Sequence, residues 1–178
     1  MLLAAFANPA AALTDAERAD LGALRAGDMR KLVVHAEAVP APTEPLTAPD
    51  GAETTLAASN GRLRVVNFWA TWCAPCREEM PSLDALGQAR PEVDVMLVAT
   101  GRNNPEAIER FAHDVGLPDL RTFVDPRSRL AAAMNVPGLP VTVILDPDGG
   151  EIARLLGGAD WASPDALAVF DYLLALPE

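Results

Sequence analysis

Residues 65–81, Val65-Val66-Asn67-Phe68-Trp69-Ala70-Thr71-Trp72-Cys73-Ala74-Pro75-Cys76-Arg77-Glu78-Glu79-Met80-Pro81, constrain this chain more than any other stretch. A run rich in valine and aromatics leads in, as a buried strand does. A short turn follows, then a helix-forming run through Arg90. Cys73 is therefore expected where a strand ends and a helix begins, with Cys76 one turn further in. The unpaired amides and positive dipole of a helix N-terminus stabilise an anion. For a cysteine that anion is the thiolate, its nucleophilic form. Pro75 suits the first turn, where a missing N–H costs nothing.

Three uses of such a pair stand open. Two cysteines three apart can be half of a zinc site, but no second Cys-x-x-Cys or His-x3-His completes the ligands, and His35 and His113 lie far off in sequence. They can be an inert bridge, but the loop it closes is too small to constrain the unfolded chain much. The third use, dithiol–disulfide exchange, fits the helix-start placement best. These are the only cysteines of the chain, so there is no disulfide scaffold.

The remaining pattern alternates strands and helices. Thr14-Asp15-Ala16-Glu17 has the form of a capping box. It predicts a helix over residues 15–32, loosened at Gly27, and Pro40, Pro42, Pro45 and Pro49 predict an extended linker after it. Asp50-Gly51 predicts a hairpin between short strands at 45–47 and 53–56. Strands are expected at 62–69, 93–100, 121–124, 141–145 and 151–156. Helices are expected at 73–90, with a kink at Pro81, and at 104–115, 127–134 and 163–176. The reading is an α/β fold with a mixed central sheet.

A length of 178 residues suits one domain with some length to spare, and the 14 basic and 25 acidic residues leave a net charge of -11. That charge argues against nucleic acid and against an anionic membrane surface as partners. No stretch reaches the roughly 18 apolar residues needed to span a bilayer. Residues 1–13 are expected to be a signal-peptide remnant: an apolar run ending in an Ala-rich zone, without the basic residues that normally precede it. Residues 14–43 are read as a helix and linker, and 44–178 as the main domain.

The stretch Asn67–Pro81 resembles the active site of the TlpA/ResA branch of the thioredoxin superfamily. The Asp50-Gly51 hairpin, Gly138-Leu139-Pro140-Val141-Thr142 and Leu145-Asp146-Pro147-Asp148-Gly149 extend the likeness over about residues 44–176. The resemblance implies a thioredoxin fold with an N-terminal helical extension and β-hairpin, and a periplasmic thiol:disulfide oxidoreductase. It implies a reductant in cytochrome c or cytochrome-oxidase biogenesis, with no cofactor beyond the redox-active Cys73–Cys76 disulfide. Cys73 matches the exposed attacking thiol, Cys76 the buried resolving thiol, and Trp72 the aromatic that shelters them. Pro140, which by itself reads as a trans turn proline, matches a cis-proline opposite the cysteines. Leu139 would then offer backbone groups to an extended substrate segment. The implied partners are a client protein carrying a disulfide, on a cytochrome or copper-site protein, and a membrane dithiol donor. Membrane anchoring by a segment ahead of this sequence is a further possibility.

Two positions depart from cytoplasmic thioredoxins. Their buried aspartate six residues before the first cysteine is replaced by Asn67, and an amide cannot take the resolving thiol's proton. TlpA/ResA-like proteins carry an acid just after the motif, where this chain has Glu79; by itself Glu79 also reads as a solvated helix residue. Arg102, Arg110 and Arg129 read as surface charge, Trp69 as core or pocket wall, Trp161 as a loop packing residue, and Met80, Met96 and Met134 as core. Rival readings are a disulfide-donating oxidant or isomerase, a copper carrier using both thiols and a histidine, and a peroxidase. The last needs a Thr three residues before the nucleophile, where Ala70 stands.

Overall fold

The computed structural model describes residues 13–117 and 120–177. The first twelve residues, and with them most of the signal-like run, lie outside the described residues. Among the described residues eight strands form one mixed sheet: β1 (Leu32–Pro40), β2 (Leu46–Thr47), β3 (Glu53–Thr54), β4 (Arg64–Trp69), β5 (Asp94–Thr100), β6 (Thr122–Asp125), β7 (Val141–Leu145) and β8 (Gly150–Leu156). Their order across the sheet is β1-β8-β7-β4-β5-β6-β2-β3. β4, β5 and β6 run parallel, while β7, β8, β1 and the β2–β3 hairpin pair antiparallel. Five helices accompany them among the described residues: α1 (Asp15–Leu24), α2 (Ala74–Ala89), α3 (Pro105–Asp114), α4 (Arg129–Ala133) and α5 (Pro164–Leu174).

The helices start where side chains can take up unpaired amides. Thr14 and Glu17 close the expected capping box on α1: Glu17 N–H donates to Thr14 Oγ1 (3.2 Å) and Thr14 N–H to Glu17 Oε2 (2.7 Å). Asn104 and Ser163 cap α3 and α5, each followed by proline at the first helical position. α2 continues through Pro81 to Ala89. It is kept in place by Met80, Leu83 and Leu86, all fully buried.

β4 lies at the middle of the sheet, buried on both faces, and strand alternation divides the core in two. Val65 and Trp69 face the larger cluster, which takes in α2, α3 and α5, and Val66 and Phe68 face the smaller one, with Leu130 and Ala131 of α4. The same alternation puts Asn67 on the α2 side, in a position that would otherwise be apolar.

The N-terminal region differs from expectation. The helix ends at Leu24, a 3-10 turn occupies Gly27–Lys31, and Leu32–Pro40 is an edge strand paired with β8 rather than helix end and linker. Between β1 and β2 only residues 41–45 lack regular structure. β-branched Val33, Val34 and Val39 favour the extended form, and the partner strand decides it. Leu21, Met29 and Leu32 are fully buried in the main core. Arg18 donates to the carbonyls of Leu13 and Ala36, and Arg25 to that of Leu32, tying α1 to β1. Residues 14–43 are thus part of the same sheet and core, not an appendage ahead of it.

Candidate active site

β4 ends at Trp69, and the chain turns through 70–72 into α2. The Cys73 N–H closes the turn on the Ala70 carbonyl (3.1 Å). Asn103 braces it from the loop after β5, accepting from Thr71 N–H (2.9 Å) while donating to the Thr100 carbonyl (2.9 Å). Cys73 is the N-cap of α2, and Cys76 N–H points at Cys73 Sγ (3.3 Å). The helix-start placement expected from sequence is therefore realised with one amide aimed at the sulfur. Cys73 and Cys76 are joined as a disulfide with Cα atoms 5.3 Å apart. Cys76 is fully buried and Cys73 is 6% exposed, so in this oxidised form the first sulfur offers only a narrow face to a partner. Pro75 between them is exposed.

Trp72 is 68% exposed and shelters little by itself. It borders a groove of about 250 Å³ with Arg77, Arg110 and Phe111. The Arg77 guanidinium lies over the Phe111 ring, 5.1 Å from its centroid. Arg110 is thus a groove residue, while Arg102 and Arg129 stand exposed elsewhere. On the β7 side of β4 the Leu139–Pro140 peptide is cis. Val141 pairs with Phe68, so Pro140 lies beside the end of β4 that leads to Cys73. The Pro140 carbonyl accepts from Gly157 N–H (2.9 Å).

Glu79 is not a solvated helix residue. It lies three residues after Cys76, on the same face of α2, and is 4% exposed. Its Oε1 accepts from Asn67 Nδ2 (2.8 Å), and its Oε2 accepts from Trp161 Nε1 (3.0 Å) and Ala159 N–H (3.1 Å). Burial pushes its carboxyl above the ordinary Glu range; the Trp161, Asn67 and Ala159 donors and the Lys31 charge pull the other way without cancelling it. Asn67 also donates to Thr142 Oγ1 (2.9 Å), and its Oδ1 has no partner among the described residues. The amide at the position of the thioredoxin aspartate is therefore a donor that holds Glu79. A cleft of about 590 Å³, bordered by Pro75, Glu79, Asp28 and Asp160, opens beside this carboxyl.

Trp161 is the residue that sequence reasoning undervalued. It is fully buried, packs against Phe170 (6.3 Å between ring centroids) and spends its indole N–H on Glu79. The loop lies against the start of α2 at Gly158, where a Cβ would make ordinary contacts, 3.5 Å from the Pro75 carbonyl and 3.8 Å from Glu79 Oε2. The Gly157-Gly158 pair was the available signal, but nothing local ties it to a helix about 80 residues earlier. Trp69 is core as expected, its indole donating to Thr122 Oγ1 (3.1 Å), and Met80, Met96 and Met134 are buried. Among the described residues no three His, Cys, Asp or Glu side chains come together as a metal site. His35 is engaged by Glu151 (2.7 Å), and His113 is exposed on α3.

A family model described as Redoxin matches residues 35–169. The chain belongs to the Redoxin family. Within it the chain falls in the TlpA/ResA-like branch of the thioredoxin superfamily. It is 34% identical over 98 residues to the thiol:disulfide interchange protein HelX of Rhodobacter capsulatus, covering 55% of this chain and 54% of that one. To the thiol-disulfide oxidoreductase ResA of Geobacillus kaustophilus it is 33% identical over 119 residues, covering 66% and 67%. The chain thus spans about half to two thirds of the length of these curated relatives. A crystal structure of a secreted Mycobacterium tuberculosis disulfide oxidoreductase, described as homologous to E. coli DsbE, superposes with a TM-score of 0.59 at 27% identity. It covers 75% of this chain and 96% of that one. The Redoxin match begins inside β1, in keeping with a sheet that starts ahead of the Pro-rich stretch.

Proposed function

We propose that this chain is a thiol:disulfide oxidoreductase that reduces disulfides in client proteins. The observation that carries the reading is the Cys76 amide aimed at Cys73 Sγ at a helix start, with a buried carboxyl one turn beyond. In the reduced protein that amide and the helix dipole favour a Cys73 thiolate. The thiolate attacks a client disulfide, forming a Cys73–client bond and releasing one client thiolate, which takes up a proton. Cys76 gives its proton to Glu79 and attacks Cys73 Sγ, forming the intramolecular disulfide and releasing the second client thiolate, which takes up the other. The client gains two electrons and two protons. Glu79 suits the acceptor role because burial raises its proton affinity while three donors keep its ionised form tolerable.

Trp72 and the backbone of Leu139, next to the cis-proline, border the side from which a client disulfide reaches Cys73, and a strand-like segment would pair there. The resemblance to the TlpA/ResA branch, together with the secreted M. tuberculosis relative, favours a place outside the cytoplasm, and the same resemblance implies clients among cytochrome c or copper-site proteins, with a membrane dithiol donor restoring the thiols. Among the described residues no helix is long and apolar enough to cross a membrane.

The deciding measurement is the reduction potential of the Cys73–Cys76 pair. A value near or below about -270 mV, that of thioredoxin, makes the dithiol a reductant, whereas one above about -180 mV makes it an oxidant or isomerase and removes the reductant reading. Cys73→Ser should abolish turnover and Cys76→Ser should trap a mixed disulfide. Full multiple turnover by Cys76→Ser would end the two-cysteine scheme.

A further inference from the structure

We infer that the 3-10 turn Gly27–Lys31 is a working part of the redox site, with Asp28 and Lys31 positioning the 157–161 loop that holds the Glu79 carboxylate. This rests on reading Glu79 as the proton acceptor of Cys76. The loop begins with two glycines, Gly157 at φ +87°, and has little stiffness of its own. Where its Ala159 N–H and Trp161 indole point is therefore decided by what holds it from outside. Lys31 Nζ donates to the Gly158 carbonyl (2.6 Å), and Asp160 N–H donates to Asp28 Oδ2 (3.1 Å). Asp28 and Lys31 are themselves paired (2.9 Å). Between these two clamps lies Ala159, whose N–H goes to Glu79, and just after them Trp161, whose N–H goes to Ser82 Oγ (3.1 Å) and whose indole goes to Glu79.

The turn is a firm base for such a clamp. Met29 and Leu32 anchor it in the core, and Gly27, at φ +50°, lies so close to α5 that a Cβ there would be 2.5 Å from Asp165 Oδ2. Asp28 also borders the cleft beside Glu79. The charged groups that border the cleft or act on that carboxyl are Asp28 and Lys31 from the turn, Asp160 from the loop and Glu78 on its own helix, with the cysteine pair, titratable only once reduced, one turn away. β4 and β7 contribute only neutral Asn67 and Thr142. Lys31 is therefore the lone cation of this set, and its charge favours ionised Glu79. The Asp28 and Lys31 side chains are each 44% exposed, so their ion pair adds little to stability. A change in chemistry on removing it is thus separable from unfolding.

The test is the pH dependence of single-turnover insulin-disulfide reduction by the fully reduced chain. Lys31→Met removes both the positive charge and the hold on Gly158, and both losses favour protonated Glu79. The midpoint of the profile should move up by about half a pH unit, the size of one partly screened charge contact. Lys31→Arg should restore most of the wild-type position. Arg25→Ala, which loses contacts within the N-terminal region but none to the loop, should lower thermal stability and leave the midpoint in place. In a Glu79→Gln background Lys31→Met should produce no shift. An unchanged midpoint in Lys31→Met, or a shift that persists without Glu79, overturns the inference while leaving the Glu79 mechanism standing. A Glu79→Gln profile identical to wild type overturns both.

Discussion

Trp161→Phe keeps an aromatic ring in the core and deletes one donor to the Glu79 carboxyl. Burial holds Glu79 protonated above its ordinary value of 4.5. Stability linked to this group is therefore full below that value and is lost as pH rises through the folded-state titration. The indole donor opposes the shift, so removing it raises the proton affinity further and deepens the loss at high pH. A hydrogen bond to an ionised group contributes about 1.5–3 kcal/mol and one to a neutral group about 0.5–1.5 kcal/mol. The variant should thus be destabilised by about 1 kcal/mol more where Glu79 is ionised than where it is protonated. For a domain of this size that is about 2–4 °C of extra loss in Tm. The space left beside Phe170 by the smaller ring costs stability equally at both pH values and cancels in the difference. Thermal unfolding of oxidised wild type and variant near pH 4 and about pH 8.5 measures it. Equal losses at the two pH values would show that Trp161 is packing only and that the indole–Glu79 contact carries no weight.

Two further outcomes follow from burial. Leu21→Ala should lower unfolding free energy by about 2–5 kcal/mol in denaturant titration, because Leu21 is fully buried in the main core; a loss under about 0.5 kcal/mol would mean that α1 is an independent appendage. Trp72→Ala should change stability by no more than about 0.5 kcal/mol, its side chain being largely exposed. It should still slow reduction of a protein disulfide more than that of a small-molecule disulfide, and equal slowing of both would remove Trp72 from client binding.

Much of the fold was legible because its signals are local. β4, β5 and β7 are apolar runs bounded by turn residues, and the helices begin at Thr14, Asn104 and Ser163 with side chains that cap them. β1 was not legible. Its outer edge is half exposed, so its alternation is weak, and Leu21, Leu24, Met29, Leu32 and Val33 continue an approximately helical spacing across the break at Arg25. Only pairing with β8 makes the extended form the better solution there. Glu79 was legible as a position and not as a state: one glutamate on a helix can be solvated or buried, and spacing from Cys76 does not distinguish them.

The amino-acid sequence by itself determined the reaction centre: two cysteines, their separation, the proline between them and the strand-to-helix change that puts Cys73 at a helix start. Those properties depend on neighbours within one or two turns. Tertiary structure decided what surrounds that centre. Asn67, Glu79, Ala159 and Trp161 come from a strand, a helix and a loop up to about 90 residues apart, and Lys31 and Asp28 from a turn more distant still. A buried carboxyl takes its proton affinity from every dipole and charge within a few ångströms, and which groups those are is set by how the sheet brings its strands and loops together.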